Sequence, residues 1–237
     1  MPAVLVHGVP DTAELWDPLV PLLPRDDVVR VRLPGFGAPV PAGFTSTKDE
    51  YAEWLAGELT ALGEPVDLVG HDWGSLLAQR VATTRPELVR SFVLSDGAVS
   101  SRFGWHELAQ QWQTPGVGEE IMKLMTQDAV AVALRDAGHP DPDGAAARVD
   151  EAMKTAVLAL YRSAVDVAAE WTPPPATDGP PALVLWGARD LYGPPSYGRA
   201  AAELAHAPYV ELDAGHWSLV ERPVEAAAAL DSFWAGT

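Results

Sequence analysis

The stretch Pro65-Val66-Asp67-Leu68-Val69-Gly70-His71-Asp72-Trp73-Gly74 decides the fold of this chain. Its apolar first half predicts a buried strand, and residues 75–82 predict a helix, so a sharp turn must lie between the two. Gly70 and Gly74 lack a Cβ and therefore allow such a turn to close. Asp72, at its apex, is an anion at neutral pH because the ordinary pKa of this side chain is about 3.9.

A carboxylate at such a turn has two interpretations that these residues alone do not separate. Aspartate is a favoured N-cap residue, so the turn can be a surface turn that caps a helix. Alternatively, Asp72 is a nucleophile, because a carboxylate attacks sp3 carbon directly. Opening an epoxide or displacing a halide in this way leaves an alkyl ester on the protein, which water later cleaves.

Three further motifs favour the second interpretation. Each lies just beyond a candidate strand, and the carboxyl ends of parallel strands meet at one edge of a sheet. The candidate strands are residues 1–6, 182–186 and 209–212, and the motifs that follow them are His7-Gly8-Val9-Pro10, Gly187-Ala188-Arg189-Asp190 and Gly215-His216-Trp217.

With these motifs in this order, the chain resembles the α/β-hydrolase family, and within it the aspartate-nucleophile branch of epoxide hydrolases and haloalkane dehalogenases. The resemblance implies an α/β fold with a mostly parallel sheet, helices on both faces and a helical cap. It also implies that Asp72 is the nucleophile, that His216 activates water and that Asp190 orients His216. The amides of Val9 and Trp73 would form the oxyanion hole.

The choice of histidine also has a physical reason, since the group that deprotonates water must titrate near neutral pH. Of the six histidines, His216 alone follows a late strand through a glycine. His139 lies in a turn-rich loop, where we expect it to be solvated. The acid has an alternative, because Asp96 also ends a candidate strand and some relatives place the histidine's partner there; Asp190 fits the commoner pattern.

Composition restricts the class of protein. With 237 residues, of which 48% are apolar, the chain suits one compact domain, and a net charge of −17 makes nucleic acid an improbable partner. The absence of cysteine excludes disulfides, thiolate catalysis and cysteine-based zinc sites. We expect no cofactor and no metal, a small apolar or amphipathic organic substrate, and a monomer or homodimer.

The beginning of the sequence carries two further expectations. The first candidate strand starts almost at Met1, so the two antiparallel strands that usually precede it in this family are expected to be missing. A signal peptide has no room there, and no apolar run reaches the roughly 18 residues of a membrane span. We therefore expect a cytoplasmic protein that does not bind membranes.

Between residues 99 and 177 the alternation of strands and helices stops, and we interpret this segment as a cap inserted into a core of residues 1–98 and 178–237. Helices are predicted over 119–137 and 145–171. The second carries an apolar stripe at helical spacing, followed by a proline-rich connector at 172–181. The stripe consists of Val149, Met153, Val157, Leu160 and Val165.

The cap must define the substrate. Tyr161-Arg162 resembles a pair in the cap of epoxide hydrolases, where the tyrosine hydroxyl donates to the epoxide oxygen, and His106 is our candidate for a second donor. The alternative is that Tyr161 only packs in the core and His106 is a surface residue.

A dehalogenase would instead need N–H donors for the halide, such as Trp73 together with another indole from the cap. Candidates for that second indole are Trp105, Trp112 and Trp171. We favour epoxide opening over dehalogenation. An esterase or lyase of the same fold is a further alternative, but such enzymes use a serine at the turn and Ser75 lies beyond it. A non-catalytic ligand receptor is another.

Overall fold

The computed structural model describes residues 1–175 and 179–237, and its centre is a sheet of six strands. Within this part of the chain every strand pair is parallel, which confirms the predicted α/β fold. The spatial order is β2-β1-β3-β4-β5-β6. The strands are β1 (Ala3–Val6), β2 (Val28–Arg30), β3 (Val66–His71), β4 (Val89–Ser95), β5 (Ala182–Gly187) and β6 (Tyr209–Leu212).

The strand order reverses between β1 and β3, which lie side by side although β2 separates them in the chain. In open parallel sheets, ligands bind beyond the carboxyl ends of the strands at such a switch point. The loop after β1 carries Val9 and the turn after β3 carries Asp72. The topology therefore opens a crevice where the sequence places its reactive groups.

Helices flank this sheet, as the burial of both its faces requires. Residues of β1, β3 and β5 are entirely buried. The helices associated with the sheet are α1 (Lys48–Ala61), α2 (Trp73–Thr84), α9 (Pro195–Ala205), α10 (Ser218–Glu221) and α11 (Pro223–Ala235). Between β4 and β5 come α3 (Glu107–Gln113), α4 (Val117–Leu124), α5 (Gln127–Asp136), α6 (Pro142–Ala147), α7 (Glu151–Arg162) and α8 (Val167–Trp171).

The helices α3–α8 occupy the segment that we interpret as the cap. The proposed limits of core and cap, at residues 98/99 and 177/178, remain a prediction. Part of the proline-rich connector at 172–181 lies outside the described residues, because it includes residues 176–178.

Both long helices predicted in the cap were wrong in extent, because polar side chains begin new helices inside them. The segment 119–137 divides between α4 and α5, where the Thr126 hydroxyl accepts a hydrogen bond from the amide of Ala129 at 3.2 Å. The segment 145–171 divides into α6, α7 and α8, and Asp150 caps α7 through the amide of Met153 at 2.8 Å. Such caps satisfy amides that have no acceptor within the helix.

The predicted apolar stripe is correct up to the end of α7 and wrong beyond it. Its first four members are buried, whereas Val165 is 54% exposed. α7 ends at Arg162, so the helical spacing no longer places Val165 on the same face.

Among residues 1–175 and 179–237, none of the helices combines the length and the apolar character that a membrane span requires.

Candidate active site

Asp72 lies at a strained turn between β3 and α2. Its backbone has φ = 52° and ψ = −122°, in the left-handed half of conformational space that residues other than glycine rarely adopt. A Cβ at Gly74 would collide with the carbonyl oxygen of Val6 in β1, so this neighbour of the turn must be glycine. Strain of this kind persists where the surrounding structure holds the residue, and it is common at functional sites.

The two oxygens of Asp72 have different neighbours. Oδ1 accepts a hydrogen bond from the amide of Val9 at 2.7 Å, and Oδ2 lies 3.6 Å from Nε2 of His216. The amide of Trp73, at the first position of α2, has no hydrogen-bond partner within the described residues. The side chain of Asp72 is 19% exposed, so it stays accessible from the cavity described below.

Asp190 lies against the other side of the His216 ring. Its Oδ1 is 3.0 Å from Nδ1 of His216 and also accepts the amides of Tyr192 and Gly193, at 2.8 and 3.1 Å. These three donors hold a fully buried carboxylate in one orientation. An imidazole held in this way presents its Nε2 toward Asp72.

The charges of the two carboxylates determine the ionisation of His216. Burial disfavours the charged imidazole, but the charge and hydrogen bond of Asp190, and then those of Asp72, outweigh it and raise the pKa of His216 well above its usual value. Burial likewise raises the pKa of Asp72, yet His216 outweighs this and lowers it. The resting site therefore holds an ion pair between Asp72 and His216.

Asp96, the alternative acid, makes no hydrogen bond to His216 within the described residues. It accepts hydrogen bonds from the amide of Gly187 at 2.7 Å, from the Ser95 hydroxyl at 2.7 Å and from the Ser218 hydroxyl at 2.5 Å. Burial, together with the nearby charge of Asp190, raises the pKa of Asp96 to about 7. Asp96 thus links the ends of β4 and β5 to the segment after His216, and Asp190 is the carboxylate in contact with the imidazole.

A cavity of about 250 Å³ opens above Asp72. Most of its wall is apolar and comes from α3, α4 and α5, so few groups of the wall can hydrogen-bond to water. Its polar groups are concentrated at the end nearest to the ion pair. They are Asp72, His106, Tyr161, Tyr192 and His216.

Tyr161 both packs in the core and lines the cavity, so the two interpretations of this residue are not exclusive. Its ring is 2% exposed and lies 5.5, 5.1 and 4.9 Å from the rings of Trp73, Trp105 and Trp112. Its hydroxyl makes no hydrogen bond to a described residue. Burial and the charge of Asp72 raise the pKa of Tyr161 well above 10, partly offset by the Trp73 side chain, so the hydroxyl remains a donor.

His106 is not a surface residue, in contrast to the alternative considered for it. It is half-buried and caps α3, with its Nδ1 accepting the amide of Ala109 at 3.2 Å. An amide can only donate, so the proton of the neutral ring is on Nε2. Burial lowers the pKa of His106, which favours this neutral form.

Tyr192 also lines the cavity, and we did not predict this from the sequence. Its ring lies 4.9 Å from that of His216 and 5.0 Å from that of His106, and its hydroxyl makes no hydrogen bond to a described residue. Its position two residues after Asp190 could have identified it. A loop whose amides bind the Asp190 carboxylate also brings its own side chains close to His216.

The expectation that His139 is solvated was wrong. It is 6% exposed, and its Nε2 lies 2.9 Å from Oδ1 of Asp11. A buried acceptor on the core compensates for the loss of water around the ring. His71, by contrast, supports the site directly, because its Nε2 donates to the carbonyl oxygen of His216 at 2.8 Å.

A model of a known protein family matches most of the chain. Residues 3–230 match the family model described as the alpha/beta hydrolase family. The chain belongs to this family.

Two solved structures share the architecture of this chain. Haloalkane dehalogenase DbeA from Bradyrhizobium elkani superposes with a TM-score of 0.81 at 22% identity, covering 99% of this chain and 90% of that one. A thermophilic esterase from Thermogutta terrifontis superposes with a TM-score of 0.79 at 23% identity, covering 100% and 90%. At such identities the likeness establishes the fold alone.

A sequence relative extends the comparison to part of the chain. The (E)-2-((N-methylformamido)methylene)succinate hydrolase of Acinetobacter baylyi is 32% identical over 98 residues. The match covers 40% of this chain and 37% of the relative, so it spans little more than a third of that protein.

The indole N–H groups near the cavity and in the cap differ in whether they are free to bind a ligand. Trp105 donates to the carbonyl of Ala164 at 2.8 Å and Trp171 donates to Asp49 at 3.1 Å, so neither is free for a halide. The indole nitrogens of Trp73 and Trp112 are buried without a partner in the described part of the chain. Of the cap indoles considered from the sequence, Trp112 is therefore the one that remains.

Residues 1–175 and 179–237 contain no group of three His, Cys, Asp or Glu side chains arranged to hold a metal ion.

Proposed function

We propose that this hydrolase opens epoxides to diols through an ester on Asp72 that water activated by His216 then cleaves. One observation carries the proposal. An ionised carboxylate has one oxygen held by an amide and the other beside an oriented imidazole, at the polar end of an apolar cavity.

The first step uses the difference between the two oxygens of Asp72. Oδ1 stays with the amide of Val9, whereas Oδ2 has no such partner and attacks the epoxide carbon. The new bond joins Oδ2 to that carbon while the carbon–oxygen bond of the ring breaks. The apolar wall supports this step because a carboxylate with few waters around it is a stronger nucleophile.

The oxygen that leaves the carbon needs a proton, because an alkoxide is a poor leaving group. The hydroxyl of Tyr161 is the main candidate donor, since Tyr161 lines the cavity and its hydroxyl proton is donated to none of the described residues. Tyr192 and Nε2 of His106 offer further donors at the same end. The resulting intermediate is a hydroxyalkyl ester.

The second step follows from the charge that the first step removes. Esterified Asp72 is neutral, so one of the interactions that raise the pKa of His216 is lost and the imidazole gives up its proton more readily. That proton restores the Tyr161 hydroxyl, which the first step left as a phenolate. Neutral His216 then takes a proton from water, which attacks Cγ of Asp72. The amide of Val9 stabilises the negative charge that develops on Oδ1. The bond between Cγ and Oδ2 then breaks, and Oδ2 leaves with the diol and takes the proton from His216.

Dehalogenation is the second candidate, and a specific observation favours it. The indole N–H groups of Trp73 and Trp112 are buried and unpartnered within the described residues, and both rings pack against Tyr161. Such groups would stabilise a departing halide. We rank this reaction second because hydroxyls line the cavity beside Asp72, whereas Trp73 is not part of that wall.

The remaining alternatives receive less support. A serine hydrolase would need a free hydroxyl at the turn, but the Ser75 hydroxyl is buried in a hydrogen bond to the carbonyl of Gly97. A receptor without activity would have no use for the ion pair of Asp72 and His216, which costs free energy to bury.

The first test is a panel of uncharged epoxides and haloalkanes incubated with the purified protein. Diol formation without halide release from the corresponding haloalkanes supports our order of preference, and halide release without diol formation reverses it. Asp72→Asn should abolish either reaction. Turnover that survives this substitution contradicts the proposed nucleophile.

The second test is a single turnover in heavy-oxygen water, followed by mass spectrometry of the peptide that contains Asp72. Because water attacks Cγ, one heavy oxygen should remain on Asp72. His216→Gln is the matched variant. It should accumulate a peptide carrying the mass of the substrate and no heavy oxygen. Heavy oxygen in the diol but none on Asp72 would exclude the ester.

A further inference from the structure

A second carboxylate–imidazole pair, Asp11 and His139, lies buried beside the site and is not used in the mechanism above. Asp11 is in the loop after β1, two residues beyond Val9, and is 2% exposed. His139 follows α5, whose residues form part of the cavity wall. The two side chains are separated by 128 positions in sequence and meet at 2.9 Å.

The hydrogen bonds define the tautomer of His139. Its Nδ1 accepts the amide of Asp141 at 3.0 Å, and because an amide can only donate, the ring proton must be on Nε2. Nε2 therefore donates to Oδ1 of Asp11. The amide of His139 also donates to the carbonyl of Leu134 at 2.9 Å, which holds the backbone of His139 against the last turn of α5.

The other oxygen of Asp11 connects this pair to the residue after His216. Oδ2 accepts the indole N–H of Trp217 at 2.9 Å. The Trp217 ring stands nearly perpendicular to the rings of His139 and His216, with centroids 4.7 and 5.1 Å away. Each oxygen of one carboxylate thus holds a different part of the protein, the cap on one side and the His216 segment on the other.

Burying a carboxylate is costly, and apolar side chains would hold α5 in place as well or better. Burial raises the pKa of Asp11, but its hydrogen bonds, first that of His139, outweigh this and lower it, so the group stays charged. Unlike apolar contacts, the hydrogen bonds of Asp11 have a direction. They therefore give its two donors, His139 and Trp217, defined positions.

We propose that Asp11 and His139 are positioning residues that act through Trp217 to hold the His216 imidazole in place. The inference rests on the proposed function, in which His216 serves the second step and not the attack by Asp72. Weakening the link should therefore slow ester hydrolysis more than ester formation. A small displacement of a catalytic group is enough for a large loss of rate.

A second contact between cap and core offers a matched control. The Trp171 indole donates to Asp49 of α1 at 3.1 Å, just as Trp217 donates to Asp11, but Trp171 does not contact His216. Trp217→Phe and Trp171→Phe each remove one indole N–H that is donated to an aspartate. They differ in whether that aspartate is linked to the site.

The test measures the two steps separately by rapid mixing with an epoxide, and records the imidazole nitrogen resonances of His216 in the resting full-length protein. Trp217→Phe and His139→Ala should shift those resonances and slow ester hydrolysis by about tenfold or more, with ester formation nearly unchanged. His139→Gln, which keeps one donor and one acceptor, should recover most of the rate. Trp171→Phe should change neither measurement.

Two results would overturn the proposal. One is an unchanged His216 spectrum and unchanged hydrolysis in Trp217→Phe, and the other is an equal loss in Trp171→Phe, which would indicate general loosening of the cap. The resonances need no substrate, so they decide the inference even if the proposed function fails. Trp217→Phe keeps an aromatic ring and serves if His139→Ala does not fold.

Discussion

Replacing Tyr161 by phenylalanine separates the hydroxyl of this residue from its packing. The ring contacts Trp73, Trp105 and Trp112, and phenylalanine preserves these contacts. The hydroxyl donates to no described residue, so its removal leaves no buried acceptor without a donor. We expect the free energy of unfolding to change by no more than about 0.5 kcal/mol.

The effect on the rate should be much larger. A hydrogen bond to an oxygen that gains negative charge contributes about 2 kcal/mol, within the range for bonds to charged groups. At about 1.4 kcal/mol for each factor of ten, its loss corresponds to a roughly 30-fold slower formation of the ester. Hydrolysis of the ester should be unaffected, since that step depends on His216.

Tyr51→Phe is the matched control. Tyr51 is also fully buried, but its hydroxyl donates to the carbonyl of Pro34 at 2.6 Å, and neither residue lines the cavity. Its loss should lower the free energy of unfolding by about 1–2 kcal/mol and leave the rate of ester formation unchanged. Tyr161→Phe is thus expected to slow ester formation with little change in stability, whereas Tyr51→Phe is expected to lower stability with no change in rate.

The assay combines chemical denaturation with rapid quenching and mass spectrometry of the Asp72 peptide after mixing with an epoxide. If Tyr161→Phe forms the ester at the wild-type rate, Tyr161 is not the donor to the leaving oxygen. The reaction of a haloalkane should be insensitive to this change and sensitive instead to Trp112→Phe.

Three further predictions concern other parts of the site. Asp190→Asn should slow ester hydrolysis by about 10²–10⁴-fold and shift the rising limb of its pH profile to lower pH, because the charge of Asp190 raises the pKa of His216. The pKa of Asp96 is about 7 in the folded protein and about 3.9 when unfolded. Its contribution to the free energy of unfolding therefore falls as the pH rises from about 4 to about 7. In Asp96→Asn, the free energy of unfolding measured by chemical denaturation should lack this dependence on pH. Gly74→Ala should destabilise the fold by about 3 kcal/mol through the collision with Val6, measured by the same method.

Each of these predictions has an outcome that contradicts it. A pH profile unchanged in Asp190→Asn would show that another group sets the pKa of His216, and a slope retained in Asp96→Asn would place the titration elsewhere. Gly57→Ala controls for the glycine substitution, because Gly57 is exposed in the middle of α1 with open space around it. It should stabilise the protein by about 0.5–1 kcal/mol.

Features governed by neighbouring residues were predictable from the sequence. The strand, turn and helix around Asp72 follow from local apolar pattern and glycine placement, and a parallel sheet necessarily gathers the ends of its strands at one edge. This is why the fold was predictable, and why Asp72, His216 and Asp190 were expected together before their distances were known. The breaks within the cap were missed because the short polar caps at Thr126 and Asp150 outweigh a continuous helical pattern.

The α/β architecture and the order of the reactive groups along the chain thus follow from the amino-acid sequence, because hydrophobic period and turn chemistry are local properties. The partners of individual side chains emerge only in the folded protein: Tyr192 lies against His216, Asp11 pairs with His139, and the indole of Trp171 is bound to Asp49. Hydrogen bonds and ring contacts between residues far apart in the chain depend on how the cap lies on the core. The spacing and composition of single segments do not predict that arrangement.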